Sequence, residues 1–316
     1  MRIIVTGAAG FIGFHLCKNL LKNKKITILG IDNINSYYSK SIKKKRILLL
    51  KKSNFIFKKV DLINKKKLDA VIKKFNPETI YHLAGQPGVL YSFKNPNSYK
   101  RNNIIATEVL CQISKKYKIK NFIFGSSSSI YGDHKKFPIK ENFKKKPKNY
   151  YAKTKYKCEK IVEKNFKVNP VNYKIFRFFT VYGPYGRPDM FIHKLLNALK
   201  KNKRINIHNK GKNLRDFTYV DDVVKILINY SIISNKIKIL NIARSKPVKN
   251  IDLIYEIKKI YRQKKENFNF IKTVKGEMLK THGCNKKLIN NFKKFKFTKL
   301  NEGLVKTIKI FKKYGI

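Results

Sequence analysis

The sequence predicts an α/β fold in which helices cover both faces of a doubly wound parallel sheet. Short β-branched segments alternate with amphipathic helical segments in the N-terminal half, and a glycine-rich turn follows the first of these strands. Small or polar residues also follow each predicted strand, and ligands of such sheets bind at the carboxyl ends of the strands. We therefore expect one edge of the sheet to carry a binding site.

The first two predicted strands enclose a motif typical of dinucleotide binding. Residues 2–6 and 26–31 are predicted strands, and residues 14–21 are a predicted helix. The turn before this helix has glycines with the spacing G-x-x-G-x-x-G, namely Gly7, Gly10 and Gly13. Such glycines allow a tight turn, the close approach of a pyrophosphate and close packing of helix on strand.

The acidic residue Asp32 directly follows the second predicted strand. A carboxylate in this position can bind both hydroxyls of an adenosine ribose and repel a 2′-phosphate. The sequence therefore predicts NAD as the cofactor in preference to NADP.

The alternation of strands and helices continues beyond this motif. Further strands are predicted at 54–60, 79–83, 121–125 and 173–179, with helices at 65–75, about 97–117 and about 151–167. A strand at 238–243 is expected to return to the main sheet. We expect a Rossmann-type NAD-binding domain over residues 1–180, to which 215–245 return, and a smaller α/β cap over 181–316 that binds the substrate.

Candidate catalytic groups follow the fifth predicted strand. Tyr151 and Lys155 are four residues apart on a predicted helix, so their side chains lie on one side about one turn apart. A neighbouring ammonium favours the ionised phenol, which can then accept a proton from a sugar hydroxyl. By itself this pair is a weak signal, because Tyr and Lys are common in the chain. The four serines at 126–129 add hydroxyl groups at the same edge of the sheet.

The net charge of +56 suggests nucleic-acid binding, but the way the charge is distributed argues against it. Arg occurs only nine times among 74 basic residues, and Lys is spread over the whole chain. A nucleic-acid-binding protein more typically concentrates its basic residues on one element. We interpret the lysines as solvated surface residues whose positive field attracts anionic substrates such as nucleotide sugars.

Cysteine usage and hydropathy indicate a cytoplasmic protein. The four cysteines are far apart and form no C-x-x-C pair, so neither a metal site nor a disulfide framework is predicted. No apolar segment reaches the roughly 20 residues of a membrane-spanning helix. The first predicted strand begins at residue 2, which leaves no room for a signal peptide. We expect no membrane insertion and no nucleic-acid partner.

Several longer motifs occur along the chain. They are T-G-A-A-G-F-I-G at 6–13, I-D-N-I-N-S-Y-Y at 31–38, H-L-A-G-Q-P-G-V at 82–89, S-S-S-S-I-Y-G at 126–132, Y-A-K-T-K at 151–155, R-F-F-T-V-Y-G-P-Y-G-R-P-D-M at 177–190 and R-D-F-T-Y-V-D-D at 215–222. These motifs resemble those of extended short-chain dehydrogenases/reductases of the nucleotide-sugar epimerase type, and most closely those of UDP-glucuronate 4-epimerases. The resemblance covers essentially all 316 residues. The motif at 177–190 is the most specific of these.

The resemblance implies a 4-epimerase that oxidises a sugar at C4 and returns the hydride to the opposite face, with NAD retained throughout. It implies that Tyr151 is the base, that Lys155 binds the nicotinamide ribose and that Ser127 hydrogen-bonds the 4-oxygen. The residues that it implies for cofactor binding are Gly7, Gly10, Phe11, Ile12, Gly13, Asp32, Asn33, Asp61, Leu62, Leu83, Ala84, Gly85, Asn103, Tyr151 and Lys155.

The resemblance also implies a substrate site. Ser128, Thr180 and Arg187 match residues that hold a glucuronate carboxylate, and Arg215 matches an arginine that binds the UDP pyrophosphate. Planar guanidinium binds carboxylate through two parallel hydrogen bonds, which Lys cannot reproduce. Related 4,6-dehydratases have Asp-Glu in place of Ser128 and Ser129, and related decarboxylases have Glu in place of Ser129. The hydroxyl groups of this chain therefore disfavour dehydration.

One departure leaves the identity of the sugar open. The chain has Leu90 where relatives of this type usually have Arg, so a neutral or N-acetylated UDP-hexose is an alternative substrate. A catalytically silent NAD-binding regulator is a further alternative, against which Ser127, Tyr151 and Lys155 argue. The helices at about 97–117 and 151–167 are where such proteins usually form homodimers, although their apolar stripes are also consistent with core packing. Consumption of the product in polysaccharide biosynthesis is expected from the family.

Overall fold

The structure is a computed structural model that describes residues 1–168, 171–233, 237–263, 268–272, 278–292 and 294–315. The strands are β1 (Arg2–Thr6), β2 (Thr27–Asp32), β3 (Phe55–Lys59), β4 (Thr79–His82), β5 (Asn121–Ser127), β6 (Asn172–Phe178), β7 (Thr180–Tyr182), β8 (Ile205–His208), β9 (Leu214–Arg215), β10 (Phe217–Tyr219), β11 (Ile239–Ile242), β12 (Val248–Lys249) and β13 (Phe268–Ile271). The α-helices are α1 (Phe11–Leu20), α2 (Lys40–Leu49), α3 (Lys65–Phe75), α4 (Val89–Lys94), α5 (Pro96–Tyr99), α6 (Ala106–Lys116), α7 (Tyr150–Phe166), α8 (Phe191–Lys200), α9 (Val220–Ile233), α10 (Asn250–Tyr261), α11 (Lys286–Asn291) and α12 (Leu300–Tyr314).

Among the described residues, the main sheet has seven strands in the order β11-β6-β5-β4-β1-β2-β3. The strand pairs β1–β2, β1–β4, β2–β3 and β4–β5 are parallel. The order therefore reverses between β1 and β4, and in such sheets a ligand binds in the crevice at this switch point. The predicted doubly wound Rossmann-type fold is confirmed, and the strand predicted at 238–243 is found as β11.

Two differences between the helices and the sequence-based prediction bear on the candidate site. Helix α2 was not predicted, because four lysines, one serine and one arginine in ten residues hide its apolar pattern. The helix predicted at about 97–117 is not continuous, since a π-helical turn at Lys100–Ile105 separates α5 from α6. In a π-helical turn the backbone hydrogen bonds join residues five apart, instead of four apart as in an α-helix. Such turns often occur at functional sites. Here the turn contains the buried residue Asn103.

The chain divides into two compact units. The first consists of Met1–Gly132, Lys144–Arg177 and Val224–Leu240, and the second of Asp133–Phe143, Phe178–Val223 and Asn241–Ile316. The assignment of an NAD-binding role to residues 1–180 and of a substrate cap to 181–316 remains a prediction. Within the described residues, no helix is both long and apolar enough to cross a bilayer.

Each unit has its own apolar core. In the first unit, Ile80 and Phe122 of the sheet pack with Leu68, Leu110 and Val162 of helices α3, α6 and α7. All five side chains are fully buried. Burial of a side chain of this size stabilises a fold by about 1.5–3 kcal/mol before entropy is subtracted. This core fixes where the carboxyl ends of the strands lie.

In its described residues, the second unit contains three small pairs of strands. Strands β7 and β10 are parallel, β9 and β12 are antiparallel, and β8 and β13 are parallel. Its core is formed by buried apolar residues of the helices and of β10, including Leu196, Phe217, Ile254 and Phe311. The first unit has the larger sheet, and the second is a mixed α/β structure.

A buried histidine connects the strands at the switch point. His82, the last residue of β4, is fully buried, and its Nδ1 lies 2.8 Å from the Thr6 hydroxyl of β1. Its Nε2 lies 3.0 Å from the hydroxyl of Thr107, which itself donates to the Cys158 sulfur. Thr107 has only one hydroxyl proton, so Nε2 donates to Thr107 and Nδ1 accepts from Thr6. Both ring nitrogens are therefore satisfied in the neutral imidazole.

This histidine should make stability depend on pH. Burial, reinforced by the Lys155 ammonium, lowers the pKa of His82 from 6.5 to about 3. The unfolded chain therefore binds a proton below about pH 6.5 that the folded chain excludes down to about pH 3. We expect the free energy of unfolding to be largest above pH 6.5 and to fall by up to about 1.4 kcal/mol per pH unit on acidification.

Denaturant unfolding of the wild type and of His82→Asn between pH 7.5 and 4.5 measures this dependence. The amide of the variant cannot bind a proton in this range, so its stability should fall less steeply with acidification. Equal slopes for the two proteins would show that His82 is not the group responsible.

Candidate active site

The glycine turn that follows β1 leaves no room for side chains. Gly7 has a φ of +73°, and its N–H donates to the Ile31 carbonyl at 2.7 Å. A Cβ on Gly13 would lie 2.1 Å from the Gly7 carbonyl oxygen, and one on Gly7 would lie 2.8 Å from the Ala84 nitrogen. Helix α1 begins directly after Gly10, so its first N–H groups face the turn. Such a helix N-terminus can bind a pyrophosphate.

Asp32 lies at the end of β2 with its carboxylate fixed by two backbone groups. Its Oδ1 accepts from the Ile34 N–H at 2.8 Å, and its Oδ2 accepts from the Ala9 N–H at 3.2 Å. Burial raises the pKa of Asp32, against the opposing effects of these hydrogen bonds and of Lys43 and Arg46. Each carboxylate oxygen accepts more than one hydrogen bond, so a diol can bind to the same two oxygens.

Two basic residues of α2 surround this acid. Arg46 is fully buried and donates to the Ala9 carbonyl at 2.8 Å and to the Tyr38 hydroxyl at 2.7 Å. Lys43, also buried, donates to the backbone and side-chain oxygens of Asn35. Sequence reasoning missed both residues, because α2 itself was not predicted and they are indistinguishable from the surrounding surface lysines.

The segment that follows β4 lies at the switch point beside the glycine turn. The Ala84 N–H donates to the Thr6 hydroxyl at 3.2 Å. A Cβ on Gly85 would lie 2.9 Å from Asn103 Oδ1 and 3.5 Å from Lys155 Nζ. Leu83 and Ala84 are half-buried, and Gly85 is exposed. The absence of a side chain at 85 thus allows the π-helical turn and the α7 helix to approach this segment closely.

Asn103 connects the segment after β4 to the helix that carries Tyr151. Its Oδ1 accepts from the Gln86 N–H at 2.6 Å. Its Nδ2 donates to the Gln86 carbonyl and, at 3.0 Å, to the Thr154 hydroxyl of α7. A uniform α-helix would direct residue 103 differently, so the π-helical turn explains how this side chain reaches both partners.

The remaining residues predicted to bind the cofactor lie near the same strand ends. Phe11 and Ile12 open α1, Asn33 follows β2, and Asp61 and Leu62 follow β3. Phe11 and Leu62 are buried, whereas Asp61 is half-buried and pairs with Arg101 at 3.0 Å. These five residues therefore follow the ends of β1, β2 and β3, at the same edge of the sheet as Asp32. Their individual roles remain predictions.

Tyr151 and Lys155 are both on helix α7. The helix begins after Asn149, whose side chain accepts from the Ala152 N–H at 2.9 Å and satisfies one of its unpaired N–H groups. Lys155 is buried, and its ammonium donates to the Gly125 carbonyl at 2.7 Å. Tyr151 is half-buried, with its ring centroid 6.1 Å from that of Tyr99. Lys155 thereby joins the helix to the end of β5.

The serines after β5 form a hydrogen-bonded turn. Ser127 Oγ accepts from the Ser129 N–H at 3.2 Å and from the Ser129 hydroxyl at 3.0 Å. A hydroxyl oxygen has two acceptor positions and one proton, so Ser127 is oriented as a donor. This role suits hydrogen bonding to a substrate oxygen. The sequence predicted Ser129 only as a hydroxyl in place of an acid, because its effect on Ser127 depends on the fold of the 3₁₀ turn at Ser128–Tyr131.

Three predicted substrate residues lie in the second unit. Thr180 begins β7, and its N–H donates to the Asp216 carbonyl at 3.1 Å. The Arg187 guanidinium donates from Nε and Nη2 to the two carboxylate oxygens of Asp189, at 3.0 and 2.5 Å. Arg215 donates to the carbonyls of Leu214 and Leu279. Arg187 is thus held in the planar, two-pronged geometry that carboxylates favour.

Comparison with known proteins agrees with this fold and with these motifs. The NAD dependent epimerase/dehydratase family matches residues 3–243, which is most of the chain. The chain therefore belongs to this family of NAD-dependent enzymes, and the predicted resemblance and the predicted NAD cofactor are confirmed.

Individual relatives have more specific activities. The UDP-glucuronate 4-epimerase of Thermodesulfobacterium geofontis is 35% identical over 274 residues, which are 85% of this chain and 84% of that protein. The crystal structure of the UDP-glucuronic acid 4-epimerase of Bacillus cereus with UDP-glucuronic acid and NAD has a TM-score of 0.93, with 34% identity over 99% of both chains. A UDP-glucose 4-epimerase of Thermotoga maritima, solved with UDP-glucose, has a TM-score of 0.90 at 27% identity over 100% of both chains.

Replacement of Asp32 tests the arrangement of the cofactor site. In Asp32→Ser the carboxylate is lost while Lys43 and Arg46 remain, so we expect NAD affinity to fall about 10- to 100-fold, as for lost hydrogen bonds to a charged group. The preference for NAD over NADP should decrease, because a 2′-phosphate is no longer repelled. Calorimetric titration of both dinucleotides measures this. Asp69→Ser, on α3, is the matched control with the same change in charge. An unchanged NAD affinity in Asp32→Ser would show that this carboxylate does not bind the ribose.

Proposed function

We propose that this protein is a UDP-glucuronate 4-epimerase that interconverts UDP-glucuronate and UDP-galacturonate. The observation that carries the proposal is the set of groups at the carboxyl end of β5. Lys155 of α7 is joined to Gly125 there, and the next residues present only hydroxyl groups, oriented by Ser129. This set suits reversible oxidation of a sugar alcohol and has no acid–base pair for dehydration.

Catalysis begins with proton transfer from the 4-hydroxyl of the sugar. The phenol oxygen of Tyr151 accepts this proton, and Lys155 lies one turn further along α7 on the same side of the helix. Ser127 donates its hydroxyl proton to the 4-oxygen and so stabilises the charge that develops there. Bound NAD supplies the hydride acceptor and, after the sugar has turned, the hydride donor. Tyr151 then returns the proton, which closes the cycle without net oxidation.

A glucuronate substrate adds a requirement at C6. After oxidation at C4 the sugar is a β-keto acid, which can lose CO2 unless its carboxylate is restrained. We propose that Ser128, Thr180 and Arg187 hold this carboxylate and that Arg215 binds the UDP pyrophosphate. The pair of Arg187 with Asp189 supports the assignment, because it fixes the plane of a guanidinium that carries five N–H donors, of which this pair uses two.

Leu90 is the observation that favours a second candidate. It lies on α4 and is 46% exposed, where relatives of the glucuronate type usually have Arg. A neutral UDP-hexose such as UDP-glucose would not need this cation. The likeness to the Thermotoga maritima UDP-glucose 4-epimerase is compatible with this candidate. Turnover of UDP-glucuronate and UDP-glucose measured side by side distinguishes the two.

The assembly and cellular setting are also part of the proposal. We infer a homodimer formed through α6 and α7, which light scattering of the purified protein can test. The four cysteines are buried and unoxidised, which agrees with a cytoplasmic location. UDP-galacturonate formed there would be a precursor for polysaccharide biosynthesis.

Purified protein should convert UDP-glucuronate to UDP-galacturonate without added NAD. Tyr151→Phe should lower kcat by at least about a thousandfold, since the proton acceptor is lost, while NAD stays bound. Chromatography of the nucleotide sugars measures both results, and Tyr150→Phe, one residue earlier on the same helix, is the control. UDP-xylose and CO2 as main products would refute the proposed reaction. Activity that survives in Tyr151→Phe would refute the assignment of the base.

The variant Arg187→Lys tests whether Arg187 holds the carboxylate of the substrate. Lys keeps the charge but cannot form two parallel hydrogen bonds, so kcat/KM for UDP-glucuronate should fall about 10- to 100-fold. Arg204→Lys, at an exposed position of the second unit, should leave kcat/KM unchanged. Equal kinetics of Arg187→Lys and wild type on UDP-glucuronate would remove the carboxylate role of Arg187.

A further inference from the structure

A buried ion pair lies behind the catalytic elements of the first unit. Arg177 of β6 donates from Nε and Nη2 to the two carboxylate oxygens of Glu159 on α7, at 2.9 and 2.7 Å. The two side chains are 2% and 1% exposed. Arg177 belongs to the motif at 177–190, yet neither the cofactor site nor the substrate site described above uses it.

The pair is extended at both ends by hydroxyl groups. The Ser126 hydroxyl donates to Glu159 Oε1 at 2.5 Å. Arg177 Nη1 donates to the Tyr131 hydroxyl at 2.8 Å, and the guanidinium lies 5.1 Å from the centre of the Tyr131 ring. Ser126 and Tyr131 are also buried. We call Ser126, Tyr131, Glu159 and Arg177 the anchor network.

The positions of the four residues relate the network to the candidate catalytic groups. Ser126 directly precedes Ser127, and Tyr131 ends the 3₁₀ turn that begins at Ser128. The network therefore holds the chain immediately before Ser127 and again at the end of the turn. Glu159 is one helical turn after Lys155 and two turns after Tyr151, so it lies on the same side of α7.

We propose that Glu159 and Arg177 are positioning residues, whose ion pair fixes the Ser127–Ser129 turn relative to the helix that carries Tyr151 and Lys155. The proposal rests on the proposed function for the roles of Ser127 and Tyr151. Neither member of the pair touches the reacting atoms in this role. They act through Ser126 and Tyr131, which transmit the position of α7 to both ends of the turn.

The chemistry of the network supports positioning over simple stabilisation. A buried ion pair contributes little stability compared with apolar residues of the same volume, because both charges lose their hydration. The pair does fix the relative orientation of the two side chains, since a guanidinium and a carboxylate meet in only a few planar arrangements. Although burial alone would lower it, the Glu159 carboxylate and Tyr131 raise the pKa of Arg177 above its ordinary value. The Arg177 guanidinium therefore remains charged.

Lys155 forms a second contact between α7 and the end of β5. Its ammonium donates to the Gly125 carbonyl, directly before Ser126. Residues 125 and 126 of β5 are thus both held by α7, one through Lys155 and the other through Glu159. A change in the Glu159 side chain should consequently disturb Lys155 and Ser127 together, although neither residue is altered.

Mild variants test the proposal without leaving a buried charge unpaired. Ser126→Ala removes one hydroxyl, and Tyr131→Phe removes the other. A displacement of about 1 Å in a reacting group can cost up to about 100-fold in rate. We expect each variant to lower kcat about 10- to 100-fold while the KM for the UDP-sugar and the bound NAD content change less than about twofold. Val162→Ala, a core truncation on α7, is the control; it should lower the melting temperature and leave kcat unchanged.

Hydrogen exchange of the NAD-bound protein gives a readout that does not depend on the sugar substrate. Ser126→Ala and Tyr131→Phe should speed amide exchange in residues 126–132 by at least about tenfold, with smaller changes elsewhere, whereas Val162→Ala should not. If the wild type does not turn over UDP-glucuronate, the proposed function fails, but the exchange result still tests the anchor network.

Two results would overturn the proposal. One is faster exchange spread over the whole unit in the two hydroxyl variants, which would indicate a purely structural role. The other is unchanged exchange in residues 126–132 together with a wild-type kcat, which would show that the turn keeps its position without these hydroxyl groups.

Discussion

The close approach of β1 and β4 is the constraint on which the candidate site of the first unit depends. At this point the strand order reverses, and the turn after β1 packs so tightly on Ala84 that Gly7 cannot carry a side chain. His82 holds the two strand ends from within the sheet through Thr6, while the same threonine binds the Ala84 N–H. The edge at which we expect the cofactor to bind is therefore supported by polar contacts inside the core as well as by apolar packing.

The sequence predicted those parts of the structure that depend on local periodicity and on short motifs. The β1–α1–β2 unit, Asp32 and the strand ends could be located because β-branched segments, glycines and one acid follow each other at fixed distances. Helix α2 could not be predicted, because its buried residues Lys43 and Arg46 are cationic and have no apolar period. The π-helical turn at Lys100–Ile105 was missed for a different reason. One extra residue in a helical turn does not change the amino-acid composition of the segment in a recognisable way.

Sequence patterns also could not predict contacts between residues that are far apart in the chain. Ser129 was predicted only as a hydroxyl that replaces an acid, whereas the structure shows it as the group that orients Ser127. Glu159 follows Lys155 by one turn, but only the position of β6 reveals that it meets Arg177. Arginine is rare in this chain, and two of the arginines discussed above, Arg177 and Arg187, make planar, two-pronged hydrogen bonds that lysine cannot make.

The hydrogen bonds of Ser129 bear on how related reactions diverge within one fold. Because Ser129 donates to Ser127, a carboxylate at position 129 would do two things at once: it would introduce a proton carrier, and it would take the Ser127 proton as an acceptor. Decarboxylases that resemble this chain have Glu at that position. Replacement of this one residue would then change both the acid–base chemistry of the turn and the group to which the Ser127 hydroxyl donates. Position 129 is the second residue after the end of β5. A substitution there would separate epimerisation from decarboxylation without any change in the cofactor site.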